Sequence, residues 1–400
     1  MPNESTQYAT TTTRVLTRRG VVWLGQTCNL RCRFCYFQTR IEAKDHPEHP
    51  FMSLAKAQRI ADTLRHHYDN HAIDIQGGEP TIFPRIEELC RHCATIGLHP
   101  TLITNAIVLA KRDACIRLRD AGVRDLLISV HGLGDNYDHV VGVPGAHAKQ
   151  MSALDHCIAL GLPFRFNCVL TKSTLPHLGD VARLAIDTKA RVVNFIAFNP
   201  FEDQQKGERS HDDVAAYSEV SRDLVPAMAL LNAAGVEVNV RYFPLCQVPE
   251  EYRKHVYNFQ QLPYDLHEWD YASWSWTDMK PQRMRDGELS ALISLREANF
   301  RSPMFRNQSN YLSDPGITKE DEFRHSALIR AREHCGYRYA PACDSCGLRA
   351  ICDGFHGDYA AFFGFSEASP VTMTAPVDDP RHYIAQQHKI VEFEDQSWAS

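Results

Sequence analysis

Cys28, Cys32 and Cys35 fall within one short stretch, Cys-Asn-Leu-Arg-Cys-Arg-Phe-Cys, directly after the apolar run Val21-Val22-Trp23-Leu24-Gly25. A strand that empties into a loop carrying three thiols has few purposes. Three soft ligands can hold three irons of a 4Fe–4S cluster and leave the fourth iron open for an outside ligand. Zinc favours four ligands in paired Cys-x2-Cys arrangements, which this spacing fits poorly. A disulfide framework needs an oxidising compartment, and the 13 cysteines, an odd number, read better as metal ligands plus buried thiols.

Around that loop the first half of the chain alternates short apolar strands with amphipathic helices, the pattern of a parallel sheet with helical crossovers. Expected strands are Val21 to Gly25, Ala72 to Gln76, Pro100 to Asn105, Asp125 to Val130, Phe164 to Leu170 and Val192 to Phe198. Ser53 is placed to cap a helix in which Leu54, Ala57, Ile60, Ala61 and Leu64 recur at helical spacing. Further helices are expected over residues 86–96 and 113–121. After Asn199-Pro200 the strand-helix units stop recurring clearly, so a closed eight-stranded barrel is not expected. In open or closed versions of this architecture the site lies at the carboxyl ends of the strands. There the sequence puts the cysteine loop, then Gly77-Gly78-Glu79-Pro80 after the second strand, and Asn105 after the third. Two glycines let backbone approach a ligand closely, their carbonyls accept hydrogen bonds from an ammonium group, and Glu79 adds an anionic partner. Taken alone, Gly-Gly-Glu-Pro reads as a turn. With no lysine following, it does not suit a phosphate.

The cysteine spacing, with Phe34 directly before the third cysteine, resembles the signature of the radical S-adenosylmethionine superfamily. Gly77 to Pro80 resembles that superfamily's glycine-rich motif, which holds the methionyl amine. The resemblance implies an α/β fold, a partial six-stranded (βα)6 barrel followed by a smaller cysteine-rich domain. It implies a 4Fe–4S cluster on Cys28, Cys32 and Cys35, with the amine and carboxylate of S-adenosylmethionine chelating the open iron. Reductive cleavage would give a 5′-deoxyadenosyl radical that takes hydrogen from substrate. Cofactor contacts implied in the same way are Phe34, Tyr36, Gly77, Gly78, Glu79, Thr104, Ser129 and Asn167, with the backbone near Phe198. Each polar member of that set, taken alone, reads as a satisfied structural group. His131 reads as a loop histidine bonded to backbone.

A second cysteine group lies far downstream: Cys343-Asp-Ser-Cys346-Gly-Leu-Arg-Ala-Ile-Cys352-Asp-Gly-Phe-His356, preceded by Cys335 and by Cys246. It resembles the SPASM or twitch domains of radical enzymes, which hold auxiliary clusters. The full SPASM pattern has a cysteine where this chain has His356 and carries more cysteines in total. The expected set is therefore one auxiliary 4Fe–4S cluster on Cys246, Cys343, Cys346 and Cys352, with Cys335 as the substitute for Cys246. Three cysteines and His356 around zinc is the rival reading. Cys90, Cys93, Cys115, Cys157 and Cys168 read as buried thiols.

The expected domains are a polar N-terminal segment at 1–17, a barrel at 18–235, an auxiliary-cluster domain at 236–365 and a tail at 366–400. A helix is expected over 215–234 and a strand over 236–242. Tyr252, Tyr257, Phe259, Tyr264, Trp269, Tyr271, Trp274 and Trp276 make an aromatic-rich region whose default role is packing. A formal net charge of −6 gives no general electrostatic case for nucleic acid. With no leader and no apolar run of bilayer length, a cytoplasmic protein is expected. Peptide maturases of this type often carry an N-terminal recognition domain. Cys28 stands near the start of the sequence, so a small-molecule substrate is expected, with a peptide-modifying maturase as the alternative. A reducing partner such as flavodoxin or ferredoxin is implied, and an auxiliary cluster that accepts an electron would make the net reaction an oxidation. The other-class alternative is a non-catalytic metal-binding or electron-transfer protein.

Overall fold

The computed structural model describes residues 20–35, 44, 49–66, 71–198, 213–258, 336–379, 382, 383 and 386, together with residue 19 and strands at 8–11, 270–273 and 389–392 as backbone alone. Eight parallel strands stand side by side in chain order: β1 (Arg19–Trp23), β2 (Ala72–Gln76), β3 (His99–Thr104), β4 (Asp125–Ser129), β5 (Phe164–Leu170), β6 (Val192–Ala197), β7 (Glu237–Arg241) and β8 (Val256–Tyr257). The strand Asp270–Ser273 pairs in parallel on the outer side of β1. Among the described residues β8 and Asp270–Ser273 do not pair with each other, so the sheet is open. Tyr8–Thr11 and Lys389–Glu392 form a separate antiparallel ribbon.

The crossovers carry α1 (Leu54–His66), α2 (Ile86–Thr95), α3 (Arg112–Asp120), α4 (Gly134–Val141), α5 (Ala146–Leu160), α6 (Leu178–Asp187) and α7 (Tyr217–Ala233). Ser53 does cap α1, its Oγ accepting from the Lys56 amide at 3.3 Å. Ala57, Ile60, Ala61 and Leu64 of α1 are buried against the sheet. Burial of a side chain such as Leu64 contributes about 1.5–3 kcal/mol, and truncating it to alanine costs about 2–5 kcal/mol.

All six expected strands are present. The sheet then runs past the expected domain boundary at 235, because β7 pairs in parallel with β6 from Val192↔Glu237 onward. Val238 and Val240 of β7 are buried in the main core. Asn239, on the other face, donates its Nδ2 to Asn194 Oδ1 of β6 at 2.9 Å.

Toward the amino ends of the strands the same inner face holds a buried ion pair. Arg165 Nε donates to Asp125 Oδ2 at 2.6 Å, and Arg191 pairs with the other carboxylate oxygen. Truncating one partner of such a pair strands the other charge and costs about 3–5 kcal/mol.

Residues 336–379 pack against α7. An isolated antiparallel bridge joins Arg338 and Phe355, and α8 (Gly357–Phe363) follows. Tyr359 of α8 stacks on Tyr217 with ring centroids 3.6 Å apart. Its hydroxyl accepts from the Tyr217 amide at 2.7 Å. Glu367 accepts from the Ser218 amide at 2.9 Å and the Tyr217 amide at 3.2 Å, placing a carboxylate at the positive end of α7. Among the described residues no helix is long and apolar enough to cross a membrane.

Candidate functional site

The cysteine loop leaves β1 and is pinned from three directions. From the β2 side, the Glu79 amide donates to the Thr27 carbonyl at 2.9 Å. From α4, the Arg31 and Arg33 amides donate to the Val141 and Val140 carbonyls at 2.8 and 3.1 Å. The segment before α1 closes the third side, with Thr27 Oγ1 donating to the Pro50 carbonyl at 2.7 Å.

Gly77 and Gly78 sit at φ +105° and +45°. A Cβ on Gly78 would lie 2.0 Å from the Thr27 carbonyl oxygen, and one on Gly77 would lie 2.7 Å from the Gly25 carbonyl oxygen. These glycines are required because the cysteine loop crosses directly over them.

Cys28, Cys32 and Cys35 are all half-buried free thiols. Cys28 and Cys32 pack against a small cluster of Leu30, Tyr137, Val141 and Ala146. Burial, reinforced by the Glu79 carboxylate, pushes the Cys28 thiol up to about 12, and burial beside Cys35 and Cys28 also raises Cys32. In that state the thiols stay protonated at neutral pH, so a metal must displace the protons to be bound. Cys28 Sγ receives a backbone donor, the Leu30 amide, at 3.4 Å. The donor set suits iron: three thiols on one loop, a backbone N–H aimed at one sulfur, and an apolar wall behind two of them.

Glu79 is 1 % exposed. Its Oε1 accepts from the Thr81 amide at 3.0 Å, the Thr81 hydroxyl at 2.5 Å and the Thr104 hydroxyl at 2.6 Å, and its Oε2 accepts from the Asn105 amide at 2.8 Å. Burial raises its pKa while these four donors pull it back. Glu79 and Thr104 thus form one buried network that joins the ends of β2 and β3. A carboxylate has about four lone-pair positions over two oxygens, so Oε2 retains acceptor capacity for an ammonium group.

Ser129 and Asn167 are register partners on β4 and β5, and the row continues through Asn194 of β6 and Asn239 of β7. Both expected residues are half-buried on that polar row. The ring of Phe34 meets His131 edge-on at 4.5 Å. His131 Nδ1 accepts from the Val169 amide at 3.2 Å, so its proton sits on Nε2. Burial depresses His131 to about 3, which keeps the ring neutral. Tyr36 lies outside the described residues.

Sequence reading assigned no role to Asn105, Gln150 or Tyr137. Gln150 Nε2 shares its two hydrogens among the Asn105 carbonyl at 3.1 Å, the Ser129 carbonyl at 2.8 Å and the Tyr137 hydroxyl at 2.8 Å, tying the ends of β3 and β4 to α4 and α5. The one available signal was position, since Asn105 follows a strand at the end that carries the site.

Residues 24–185 match the family described as the Radical SAM superfamily. This stretch is a radical SAM domain. The family's cofactors are a 4Fe–4S cluster and S-adenosylmethionine, and Cys28, Cys32 and Cys35 are the three thiols this domain offers between its first strand and α1. The AdoMet-dependent heme synthase of Oleidesulfovibrio alaskensis is 30% identical over 168 residues, 42% of each chain. The PqqA peptide cyclase of Bradyrhizobium diazoefficiens is 28% identical over 166 residues, 41% of this chain and 42% of the relative. The match spans about two fifths of the length of these curated relatives. The solved structure of Streptococcus suis SuiB bound to S-adenosylmethionine aligns at 20% identity and a TM-score of 0.45, covering 56% of this chain and 51% of that one.

The second cysteine group lies beyond the radical SAM domain. Cys246, in the turn after β7, and Cys343, Cys346 and Cys352 line a single cleft, with Leu245, Leu348, Phe355, Ser369 and Pro370 among its other walls. Three of the sulfurs receive N–H donors: Cys246 from Gln247 Nε2 at 3.6 Å, Cys346 from the Val371 amide at 3.4 Å, and Cys352 from the Gly354 amide at 3.4 Å. Burial raises the thiol pKa of Cys343 and lifts that of Cys352 to about 12. His356 is not part of the cleft wall. Its Nδ1 accepts from the Asp358 amide at 3.2 Å, so it is the N-cap of α8. Cys335 lies outside the described residues. Among the described residues no three His, Cys, Asp or Glu side chains are gathered on one point as ligands of a single ion. Cys90, Cys93, Cys115, Cys157 and Cys168 are buried, as expected.

Proposed function

We propose that this chain is a radical S-adenosylmethionine enzyme acting on a small organic molecule, with Cys28, Cys32 and Cys35 as ligands of its catalytic cluster. The single observation that carries the reading is the three-thiol loop braced over Gly77 and Gly78, beside Glu79, inside a radical SAM domain. When bound, the cluster and S-adenosylmethionine supply one-electron cleavage of the sulfonium and a 5′-deoxyadenosyl radical that abstracts hydrogen. The chain's own part is positioning. Glu79 Oε2 offers an acceptor for the methionyl ammonium, and Phe34, Ser129 and Asn167 offer the polar and aromatic surface for the nucleoside. Leu30, Tyr137 and Val141 exclude water from the cysteine loop.

In this reading Cys246, Cys343, Cys346 and Cys352 hold one auxiliary 4Fe–4S cluster that moves an electron or contacts substrate. Four thiols around one cleft, with His356 engaged as a helix cap, support the all-cysteine set over three cysteines and a histidine around zinc. A reductant such as flavodoxin or ferredoxin completes the assembly. A peptide is the second reading of the substrate, favoured by the recurrence of PqqA peptide cyclases among the curated relatives.

The test is anaerobic reconstitution followed by dithionite and S-adenosylmethionine. Formation of 5′-deoxyadenosine well above a Cys28→Ala control supports the enzyme reading. Equal amounts from both proteins would falsify it and leave a metal-binding or electron-transfer protein.

A further inference from the structure

Every polar group of Asn105 is engaged, and its bonds reach three parts of the site. Its amide donates to Glu79 Oε2 at 2.8 Å, and its carbonyl accepts from Gln150 Nε2 at 3.1 Å. Its side-chain Oδ1 accepts from the Ile107 amide at 3.0 Å. That backbone donor fixes which side-chain atom is oxygen, so Nδ2 necessarily points the other way. Nδ2 lies 2.7 Å from Asn29 Oδ1 and 3.9 Å from Cys28 Sγ, and an amide nitrogen has a hydrogen for each. The next residue, Ala106, is fully buried in the left-handed conformation at φ +65°. Non-glycine residues adopt that conformation only where the surroundings enforce it, and here it turns the chain sharply after Asn105.

We propose that Asn105 is a positioning residue that tunes the Cys28 ligand and couples it to Glu79, the expected partner of the methionyl ammonium. The inference rests on the reading of Cys28 as a cluster ligand. Once Cys28 is a thiolate it accepts hydrogen bonds only, from Asn105 Nδ2 on one side and from the Leu30 amide on the other. Donors to a ligating sulfur stabilise the electron-richer state of a cluster and so raise its potential. Because the Asn105 amide sits on Glu79, a cation arriving at Glu79 is felt through one residue at Cys28.

The experiment is a redox titration of the reconstituted full chain, following the electron paramagnetic resonance signal that changes when S-adenosylmethionine is added. That response separates the catalytic cluster from any auxiliary one. Asn105→Ser keeps an oxygen to cap Ile107 and removes the Nδ2 donor without adding charge. The expected result is a lower midpoint in Asn105→Ser, corresponding to about a tenfold smaller ratio of reduced to oxidised cluster at fixed potential, or about 59 mV for a one-electron couple. Asn105→Asp, which adds a negative charge at the same atoms, is expected to move it further the same way. A purely structural role would reduce cluster loading while leaving the midpoint of the loaded fraction in place, and that outcome overturns the inference. Absence of any signal that responds to S-adenosylmethionine in the unmodified protein overturns the reading beneath it as well.

Discussion

The two cysteine groups differ in how the chain assembles them. Cys28, Cys32 and Cys35 come from one loop whose backbone is held by β2, α4 and the segment before α1. Cys246, Cys343, Cys346 and Cys352 come from two regions far apart in sequence and surround one cleft. A single short loop can be read off a sequence and leaves one side of its metal free. Thiols drawn from two distant stretches of the chain need the tertiary fold to bring them to one cleft. The first arrangement suits chemistry on an outside ligand, and the second suits a fully ligated centre.

The largest effect expected from breaking this contrast is at Cys28. Cys28→Ala should reduce 5′-deoxyadenosine formation to background in a product assay while leaving iron at the downstream cleft. Gly78→Ala comes next. It keeps all three thiols but drives a Cβ into the Thr27 carbonyl, so iron content of the first centre and the melting temperature should both fall, read by metal analysis and thermal unfolding. Cys346→Ala should remove the iron of the second centre and leave S-adenosylmethionine cleavage measurable. Loss of zinc in its place would show that the second group is a zinc site. His356→Gln should leave metal content unchanged, because the histidine caps α8. Loss of metal in that variant would restore the histidine as a ligand.

A modest effect concerns pH. Burial depresses His131 to about 3 in the folded state from the ordinary histidine value of 6.5, so the unfolded chain takes up the proton first as pH falls. Its contribution is intact above pH 6.5 and is lost on descending toward 3, at up to about 1.4 kcal/mol per pH unit. Urea unfolding at pH 7.5 and pH 5.5 should show a smaller loss in His131→Asn than in the unmodified protein.

Much of the first region was legible because its information is local. β1 to β6 are short apolar runs ending at polar residues, and the cysteine loop and Gly77-Gly78 are contiguous. The strand expected over 236–242 falls beyond the expected boundary at 235, and only the pairing of β7 with β6 shows that it extends the sheet with Asn239 bonded to Asn194. The sequence places Asn105 at the site end of its strand but does not reveal its role, because its partners, Glu79, Asn29 and Gln150, arrive from three other segments. Spacing alone made His356 look like a ligand, when its place just before α8 gives it the role of a cap.

The clasp of Glu367 on the first turn of α7 belongs to the same segment whose Val371 amide and Pro370 ring border the downstream cleft. Cys246 follows β7 of the sheet, whereas Cys343, Cys346 and Cys352 belong to the C-terminal region. Any ion or cluster that needs all four sulfurs therefore adds its own binding free energy to the docking of the C-terminal region on the sheet, so metal occupancy there is also a lock on tertiary structure.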